Sequence, residues 1–295
     1  MSQPTNPAWW PARQLQRHPI QEVLACGHRL NPPLYSHVVN FPRLEIPLRG
    51  QYQNQIERDG KITSVVLHPG MALFAAPNCW NLPDWRPGLE LLNIFFGRTH
   101  LNISVVSARA KTHPEQAPRK YSLRRPLSGP VPHLLTTLSE ALAESESSPA
   151  LTHLVRALIC CVESLLHKPV AETGGRAQTL LEEIRVFLQS HYQYEITRDS
   201  VAEQFGVTPN HLSRLFQMHG RMTFNHYLTR VRIDRAKHLL RNYNLKLDDI
   251  AARCGYHDAQ YFWRVFKKMT ESTPKAYRQK NRSRGTAEKT PDENS

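Results

Sequence analysis

Two arginines, Arg214 and Arg264, occupy the same place in two similar stretches of this 295-residue sequence. The first stretch, VAEQFGVTPNHLSRLF, covers residues 201–216, and the second, IAARCGYHDAQYFWRVF, covers residues 250–266. A guanidinium group holds several N–H donors in one plane, which suits phosphate, carboxylate and guanine acceptors. The chemistry that this pattern indicates is recognition through hydrogen bonds and charge.

Motifs for bond-making chemistry are missing from the sequence. There is no Ser-His-Asp arrangement, phosphate-binding glycine loop or dinucleotide-binding motif. The five cysteines form no CxxC pair and have no accompanying histidine spacing for zinc, so they indicate reduced thiols in a cytosol. The N-terminus lacks a secretion signal, and no run of about 18 apolar residues occurs. We therefore expect no catalytic residue, no cofactor, no metal and no membrane insertion.

Each arginine follows a spacing that is typical of a helix, a sharp turn and a second helix. Ala202 is followed four residues later by Gly206, and Ala251 is followed in the same way by Gly255. A small residue lets two helices approach closely, and glycine accepts the positive φ that turns the chain sharply. Both stretches are therefore predicted to be helix-turn-helix motifs, the second with a turn one residue longer.

The second helix of each motif is predicted to bury one face and expose the other. The spacing i, i+3, i+4 predicts that Leu212, Leu215 and Phe216 are buried in the first motif. The same spacing buries Phe262, Val265 and Phe266 in the second. The outward side chains then include Asn210, Ser213, Arg214, Gln217, Ala259, Gln260, Trp263, Arg264, Lys267 and Lys268.

Positive charge is concentrated in the part of the chain that carries these motifs. The net charge is +13, and residues 176–282 contain 19 Lys and Arg against 10 Asp and Glu. Such a bias fits a polyanionic partner better than general solubility does.

The run RVRIDRAKHLL, DDIAARCGY and YFWRVFKKMTESTPKAYR, within residues 225–278, resembles the C-terminal DNA-binding domain of the AraC/XylS family of bacterial transcription regulators. The resemblance covers about a third of the chain. It implies a cytoplasmic, nucleoid-associated activator or repressor that binds promoter DNA and RNA polymerase. A helix over residues 224–241, about 27 Å long, would place both motifs in successive major grooves of one DNA face.

The resemblance also implies roles for the outward side chains. Arg214 and Arg264 suit guanine, although each could instead contact phosphate or pair with a carboxylate within the domain. Asn210 and Gln260 suit adenine, and Ala259 and Trp263 suit thymine methyl groups or sugars. Ser213 and Gln217 complete the predicted base contacts. Phosphate contacts are expected from Arg221, Lys267, Lys268, Lys275 and Arg278.

The first third of the chain has the pattern of short antiparallel strands. Strands are predicted at residues 22–26, 52–58, 62–67, 71–75 and 89–96, with a two-residue turn at Asp59 and Gly60. This indicates a small β-barrel or half jelly roll, similar to the cupin-like effector domain of many family members. The predicted fold class is α+β: a cupin-like barrel with a helical hairpin, then an all-α domain with two helix-turn-helix motifs.

Possible ligand contacts inside the barrel are polar and aromatic residues on or near the predicted strands. Tyr52, Asn54, Trp80, Asn81 and Trp85 could bind a small effector, or could simply be core and loop residues. His37, His68 and His100 are too widely separated to favour a metal site.

The predicted domains are a sensory unit at residues 1–110, a linker and helical hairpin at 111–175, the DNA-binding domain at 176–282 and a disordered tail at 283–295. Residues 111–125 are basic and are interpreted as a linker or loop. Apolar stripes predict helices at 131–143 and 151–167, which in the family commonly mediate dimerisation, although packing under the barrel would use the same residues.

Three functions are compatible with these features. The first is a sequence-specific transcription regulator whose N-terminal domain binds an effector. The second keeps DNA binding but uses the N-terminal domain only for homodimerisation. The third is a cupin metalloenzyme fused to a DNA-targeting domain, which the missing His and Glu cluster disfavours.

Overall fold

The computed structural model of the chain describes residues 15–16, 19–97, 100–107, 119–146, 148–167 and 175–287. The chain forms two compact units, Met1–Val186 and Phe187–Ser295. The division lies inside the helix Arg176–His191, whereas the sequence places the domain boundary before residue 176, where that helix starts.

The described residues of the first unit form ten strands. They are β1 (Glu22–Cys26), β2 (His37–Val38), β3 (Arg43–Arg49), β4 (Tyr52–Arg58), β5 (Lys61–Leu67), β6 (Met71–Ala75), β7 (Trp80–Asp84), β8 (Glu90–Phe96), β9 (His100–Ser107) and β10 (Arg119–Pro126). The strands predicted at 22–26, 52–58 and 71–75 are confirmed with the same bounds, and those at 62–67 and 89–96 differ by one residue.

These strands form two sheets. One has six strands in the order β1-β6-β3-β8-β9-β10, and the other has four in the order β2-β7-β4-β5. The pair β1 and β6 is parallel, whereas β4 and β5 form an antiparallel hairpin. The turn residues Asp59 and Gly60 have φ of 51° and 72°, as a tight two-residue turn requires.

Two helices, α1 (Val131–Glu144) and α2 (Pro149–His167), follow the strands. Leu138 and Leu158 belong to the same buried cluster as Ile46 of β3 and Ile56 of β4, so both sheets and both helices share one core. Helix α2 is long and apolar enough to span a membrane by those two measures alone. Its buried apolar side chains mark it instead as a core helix.

The interpretation of residues 111–125 as a linker or loop is wrong for its last part. Residues 119–126 form β10, which pairs with β9 over Arg119 to Pro126. Basic residues are compatible with this strand because the fold gives them partners: Arg125 is 8% exposed, and Arg124 Nη2 lies 2.8 Å from His100 Nδ1 on β9. Residues 111–118 lie outside the described part of the chain.

The remaining described helices include the two repeated motifs. They are α3 (Arg176–His191), α4 (Arg198–Gln204), α5 (Pro209–Gly220), α6 (Phe224–Asn242), α7 (Leu247–Arg253), α8 (Ala259–Thr270) and α9 (Pro274–Ala287). The sheet-rich first part and the helical second part confirm the predicted α+β class. The predicted disordered tail is wrong at residues 283–287, because α9 continues through them; residues 288–295 are not described.

Candidate nucleic-acid interface

The first helix-turn-helix motif consists of α4 and α5. Thr197 caps α4 by accepting a hydrogen bond of 3.0 Å from the Ser200 amide. Gly206 has φ of 66°, and the Val207 amide then donates to the Ala202 carbonyl at 2.9 Å. Thr208 caps α5 through the His211 amide at 3.2 Å, so the direction of α5 is fixed at its start.

The second motif consists of α7 and α8. Gly255 has φ of 77°, and the Tyr256 amide donates to the Ala251 carbonyl at 3.0 Å, repeating the first turn. The loop between the helices, residues 254–258, is one residue longer than residues 205–208 of the first motif, as predicted. Asp258 caps α8 by accepting from the amides of Gln260 and Tyr261.

The faces of α5 and α8 divide as the spacing predicts. Leu212, Leu215, Phe216, Phe262 and Phe266 are buried, and Val265 is half-buried. Most of the predicted base contacts are exposed on the other side. These are Asn210, Arg214, Gln217, Gln260, Trp263 and Arg264, whereas Ser213 and Ala259 are half-buried.

Two aromatic side chains hold cations on the exposed face of α8. The guanidinium carbon of Arg264 lies 5.9 Å from the centre of the Tyr261 ring, and Lys267 Nζ lies 5.3 Å from the centre of the Trp263 ring. Tyr261 is 53% exposed, so this stacking occurs at the surface. Such contacts restrict the rotamers of long cations without neutralising them.

A surface hollow of about 400 Å³ brings together residues that are far apart in the second motif. Four of the predicted base contacts line it, together with two residues from the start of α7: Ala259, Gln260, Trp263, Arg264, Leu247 and Asp248. Sequence reasoning missed Asp248 and Tyr261, because neither repeats a feature of the first motif. The Asp248 carboxylate is an acceptor of the kind that suits the cytosine amino group.

Helix α6 joins the two motifs. Its 19 residues correspond to about 28 Å of helix. Arg232 donates to the carbonyls of Tyr192 and Tyr194 at 2.9 and 3.0 Å, and Arg235 is buried. Burial lowers the pKa of Arg232 from its ordinary value. Arg232 and Arg235 therefore have structural roles within the domain.

Comparison with known proteins supports the interpretation of the two repeats as helix-turn-helix motifs. A profile for a helix-turn-helix domain matches residues 201–280. The uncharacterized HTH-type transcriptional regulator YijO of Escherichia coli (strain K12) is 35% identical over 258 residues, covering 88% of each chain. The chain belongs to the AraC/XylS family of transcription regulators. YpdC of the same organism, another uncharacterized HTH-type transcriptional regulator, is 34% identical and covers 83% of this chain and 84% of its own.

A third relative matches a shorter part of this AraC/XylS regulator. The HTH-type transcriptional activator RhaS of Salmonella schwarzengrund is 28% identical over 145 residues, which are 49% of this chain and 52% of RhaS. The family assignment makes the helical unit a DNA-binding domain and the protein a transcription regulator.

The predicted phosphate contacts of this AraC/XylS regulator differ in their surroundings. Lys267, Lys268 and Lys275 are exposed, and exposed Arg221 ends α5 with φ of 54°. Arg278 is half-buried instead, and its Nη2 donates to the Leu245 carbonyl at 2.6 Å. This bond gives Arg278 a supporting role within the domain, and its phosphate contact stays a prediction.

The five residues suggested for an effector lie in the interior of the first unit. Tyr52, Asn54, Trp80, Asn81 and Trp85 are each exposed by 9% or less. The Tyr52 hydroxyl and Asn81 Nδ2 both donate to Glu45 Oε2, at 2.6 and 2.7 Å, and Trp80 Nε1 donates to the Leu30 carbonyl at 3.3 Å. Tyr52 and Asn81 are therefore already engaged with protein atoms.

Arg43 and Glu45 lie at the centre of this network, which links β3 of one sheet to β4 and β7 of the other. Arg43 donates to Glu45 Oε1 at 3.0 Å and to Asn81 Oδ1 at 2.6 Å. Burial alone raises the pKa of Glu45, but the His37 hydrogen bond and the Arg43 charge outweigh it and lower the pKa to about 2. Sequence reasoning missed this pair, although two charges at i and i+2 in an apolar strand are a usable signal.

The three histidines considered for a metal are not brought together in one site. His37 Nδ1 lies 3.5 Å from Glu45 Oε1, whereas His68 is exposed in a turn and His100 contacts Arg124. Within the described ranges, no group of three or more His, Cys, Asp or Glu side chains is arranged to hold a metal ion.

Proposed function

We propose that the C-terminal unit recognises a specific DNA sequence by inserting α5 and α8 into two successive major grooves. The observation that carries this proposal is the repeat itself: two capped helices with exposed polar faces, joined by one helix of about 28 Å. With half of each recognition helix added, the two faces are about one DNA turn apart. One chain would then contact two adjacent segments of an asymmetric site.

The base contacts that we propose are side chains on the outward faces of these two helices, all exposed except the half-buried Ser213 and Ala259. Arg214 and Arg264 donate to guanine O6 and N7, and Asn210 and Gln260 bind adenine. Ala259 and Trp263 contact thymine methyl groups or sugars, while Ser213 and Gln217 complete the contacts of α5. Their exposure, the stacking of Arg264 on Tyr261 and the hollow beside α8 support this assignment.

Phosphate binding in this proposal comes from Arg221, Lys267, Lys268 and Lys275, which adds affinity that is independent of sequence and falls with salt. The predicted Arg278 contact is kept apart from this set because Arg278 supports the Leu245 carbonyl.

The N-terminal unit, in our proposal, is a cupin-like regulatory domain that acts through a small effector or through homodimerisation, with α1 and α2 as one dimerisation surface. Tyr52, Asn54, Trp80, Asn81 and Trp85 are its candidate effector contacts. The whole protein acts in the cytoplasm at the nucleoid, by binding promoter DNA and RNA polymerase rather than by catalysis. The relatives named as transcription regulators support this role.

The test is selection of bound sequences from random DNA with the full-length protein and with Arg264→Ala. We expect two enriched blocks about one helical turn apart. Arg264→Ala should lose preference at one position, a change of about 1–3 kcal/mol in discrimination. Lys275→Ala is the matched control and should weaken all sequences equally. Tight, salt-sensitive binding without an enriched motif would contradict sequence-specific recognition.

A further inference from the structure

Strand β5 forms one edge of the four-stranded sheet. Among the residues that the structure describes, it pairs with β4 alone, in a register that sets Arg58 opposite Lys61 and Tyr52 opposite Leu67. In a two-residue hairpin, the pair next to the turn exchanges both backbone hydrogen bonds. Because bonding alternates along the strand, Ile62, Ser64 and Val66 direct their N–H and C=O groups away from β4.

The side chains at these positions leave that edge open. Ile62 is 53% exposed, Val66 is 41% exposed, and Ser64 between them is exposed. Beyond Lys61 at its first position, β5 contains no proline and no charged residue. Edge strands of soluble proteins usually carry a charge, a proline or a bulge that prevents pairing with another chain. Strand β2 at the opposite edge has only two residues, so β5 is the longer free edge.

We propose that β5 pairs antiparallel with β5 of a second copy of this chain, about a two-fold axis at Ser64. The backbone supports this register because a two-fold axis at Ser64 pairs the N–H and C=O groups of Ile62, Ser64 and Val66 in each copy. Together they would form about six hydrogen bonds between the two copies. An axis moved to Ile62 or Val66 would leave some of these groups unpaired.

The side chains of β5 match each other in the same register. Ile62 of one copy lies opposite Val66 of the other, a pair of β-branched residues that favours strand association. Lys61 is the charged residue of the strand, and it lies opposite Leu67 rather than opposite another cation. The two four-stranded sheets would become one sheet of eight strands. This dimer does not depend on the assignment of α1 and α2 to self-association.

Symmetric disulfide formation tests the register directly. In a hydrogen-bonded antiparallel pair, opposite Cα atoms lie about 5.5 Å apart, which is within the range that a disulfide spans. Full-length Ser64→Cys, with Cys160 and Cys161 changed to Ser, should therefore form a covalent dimer in a glutathione redox buffer. Thr63→Cys in the same background is the control, because Thr63 lies opposite Val65 and points to the other face of the sheet.

The noncovalent dimer is tested by sedimentation equilibrium of the full-length protein. Ile62→Lys combined with Val66→Lys should weaken dimerisation at least about tenfold, because like charges then meet across the axis. Leu34→Lys, at an apolar residue that is 40% exposed elsewhere in the same unit, should leave the dimer unchanged. Circular dichroism verifies that each variant is folded.

Four results would overturn the proposal. Equal crosslinking of the Ser64→Cys and Thr63→Cys proteins would indicate random collision. A dimer that persists with Lys at positions 62 and 66 would indicate another surface, such as α1 and α2. A wild-type protein that stays monomeric would exclude the dimer, and a Ser64→Cys variant whose introduced thiol does not react with maleimide would show that the same chain covers β5.

Discussion

Glu45 illustrates how one buried side chain depends on its partners. It is 2% exposed, and its two oxygens accept hydrogen bonds from Arg43, Tyr52 and Asn81. A buried charge that lost its partners would be costly, whereas a paired one can hold two elements in a unique arrangement. Here the elements are the two sheets of the N-terminal unit.

The lowered pKa of Glu45 predicts a pH dependence of stability. A carboxylate with a folded-state pKa of about 2 and an unfolded pKa near 4.3 stabilises the fold above about pH 5, and this contribution is lost as the pH falls toward 2. We expect Glu45→Gln to lower the free energy of unfolding by about 1–3 kcal/mol at pH 7. The difference from wild type should shrink in acid.

Hydrogen exchange in peptides from β3 and β7, measured by mass spectrometry between neutral and acidic pH, would test this prediction. Asp84→Asn is the control, since the Asp84 ion pair with Arg86 at 3.0 Å is about half exposed and contributes little. A Glu45→Gln protein with the same acid dependence as wild type would contradict the role of Glu45.

The two helix-turn-helix motifs share a turn but differ in what surrounds it. A Cβ on Gly206 would have no atom within 4 Å, whereas a Cβ on Gly255 would lie 2.5 Å from the Tyr192 carbonyl oxygen and 2.9 Å from Arg232 Nη2. The second turn therefore requires glycine for its positive φ and for the close approach of the Tyr192 backbone. The first turn requires glycine at position 206 only for its positive φ.

We predict that Gly255→Ala destabilises the second unit more than Gly206→Ala does. The positive φ alone should cost about 1–2 kcal/mol at position 206, and the clash with backbone should add at least about 1 kcal/mol at position 255. Urea unfolding of the full-length protein measures both losses of stability. Unfolding is followed by circular dichroism and by hydrogen exchange in peptides of α7. Equal losses would mean that Tyr192 moves away without cost.

The whole molecule combines a unit with two sheets and a unit of helices, each with a buried core. The compact division falls inside α3, between residues 186 and 187, so a cut at that point would interrupt a helix. A fragment designed from the structure should therefore begin at Arg176 and extend to Ala287, where α9 ends.

We predict that residues 176–287 fold, remain monomeric and bind the selected DNA. Affinity should be lower than that of a dimeric full-length protein, because two linked domains raise the effective concentration at a double site. Gel-shift titration at several salt concentrations, with sedimentation of the free fragment, measures both properties. A folded fragment that does not bind DNA would contradict the assignment of DNA recognition to this part of the chain.

Local sequence signals determined the helix-turn-helix repeat. The helical spacing of Leu212, Leu215 and Phe216, the glycines at the turns and the Thr197 cap each act within a few residues, so the sequence alone predicts them. The hairpin at Asp59 and Gly60 is equally local, since the turn type fixes how β4 meets β5. Alternation likewise predicted the strand at residues 52–58, whereas β2, β3, β7, β9 and β10 were not among the predicted strands.

Only the tertiary structure decided which distant residues meet. The network of Arg43, Glu45, Tyr52 and Asn81 depends on β3 and β7 facing each other across the core, and sequence spacing does not specify that pairing. Strand β10 exists because β9 offers it an edge, and Arg278 turns inward because the Leu245 carbonyl needs a donor. Such partners lie tens of residues apart, and long-range packing selects them.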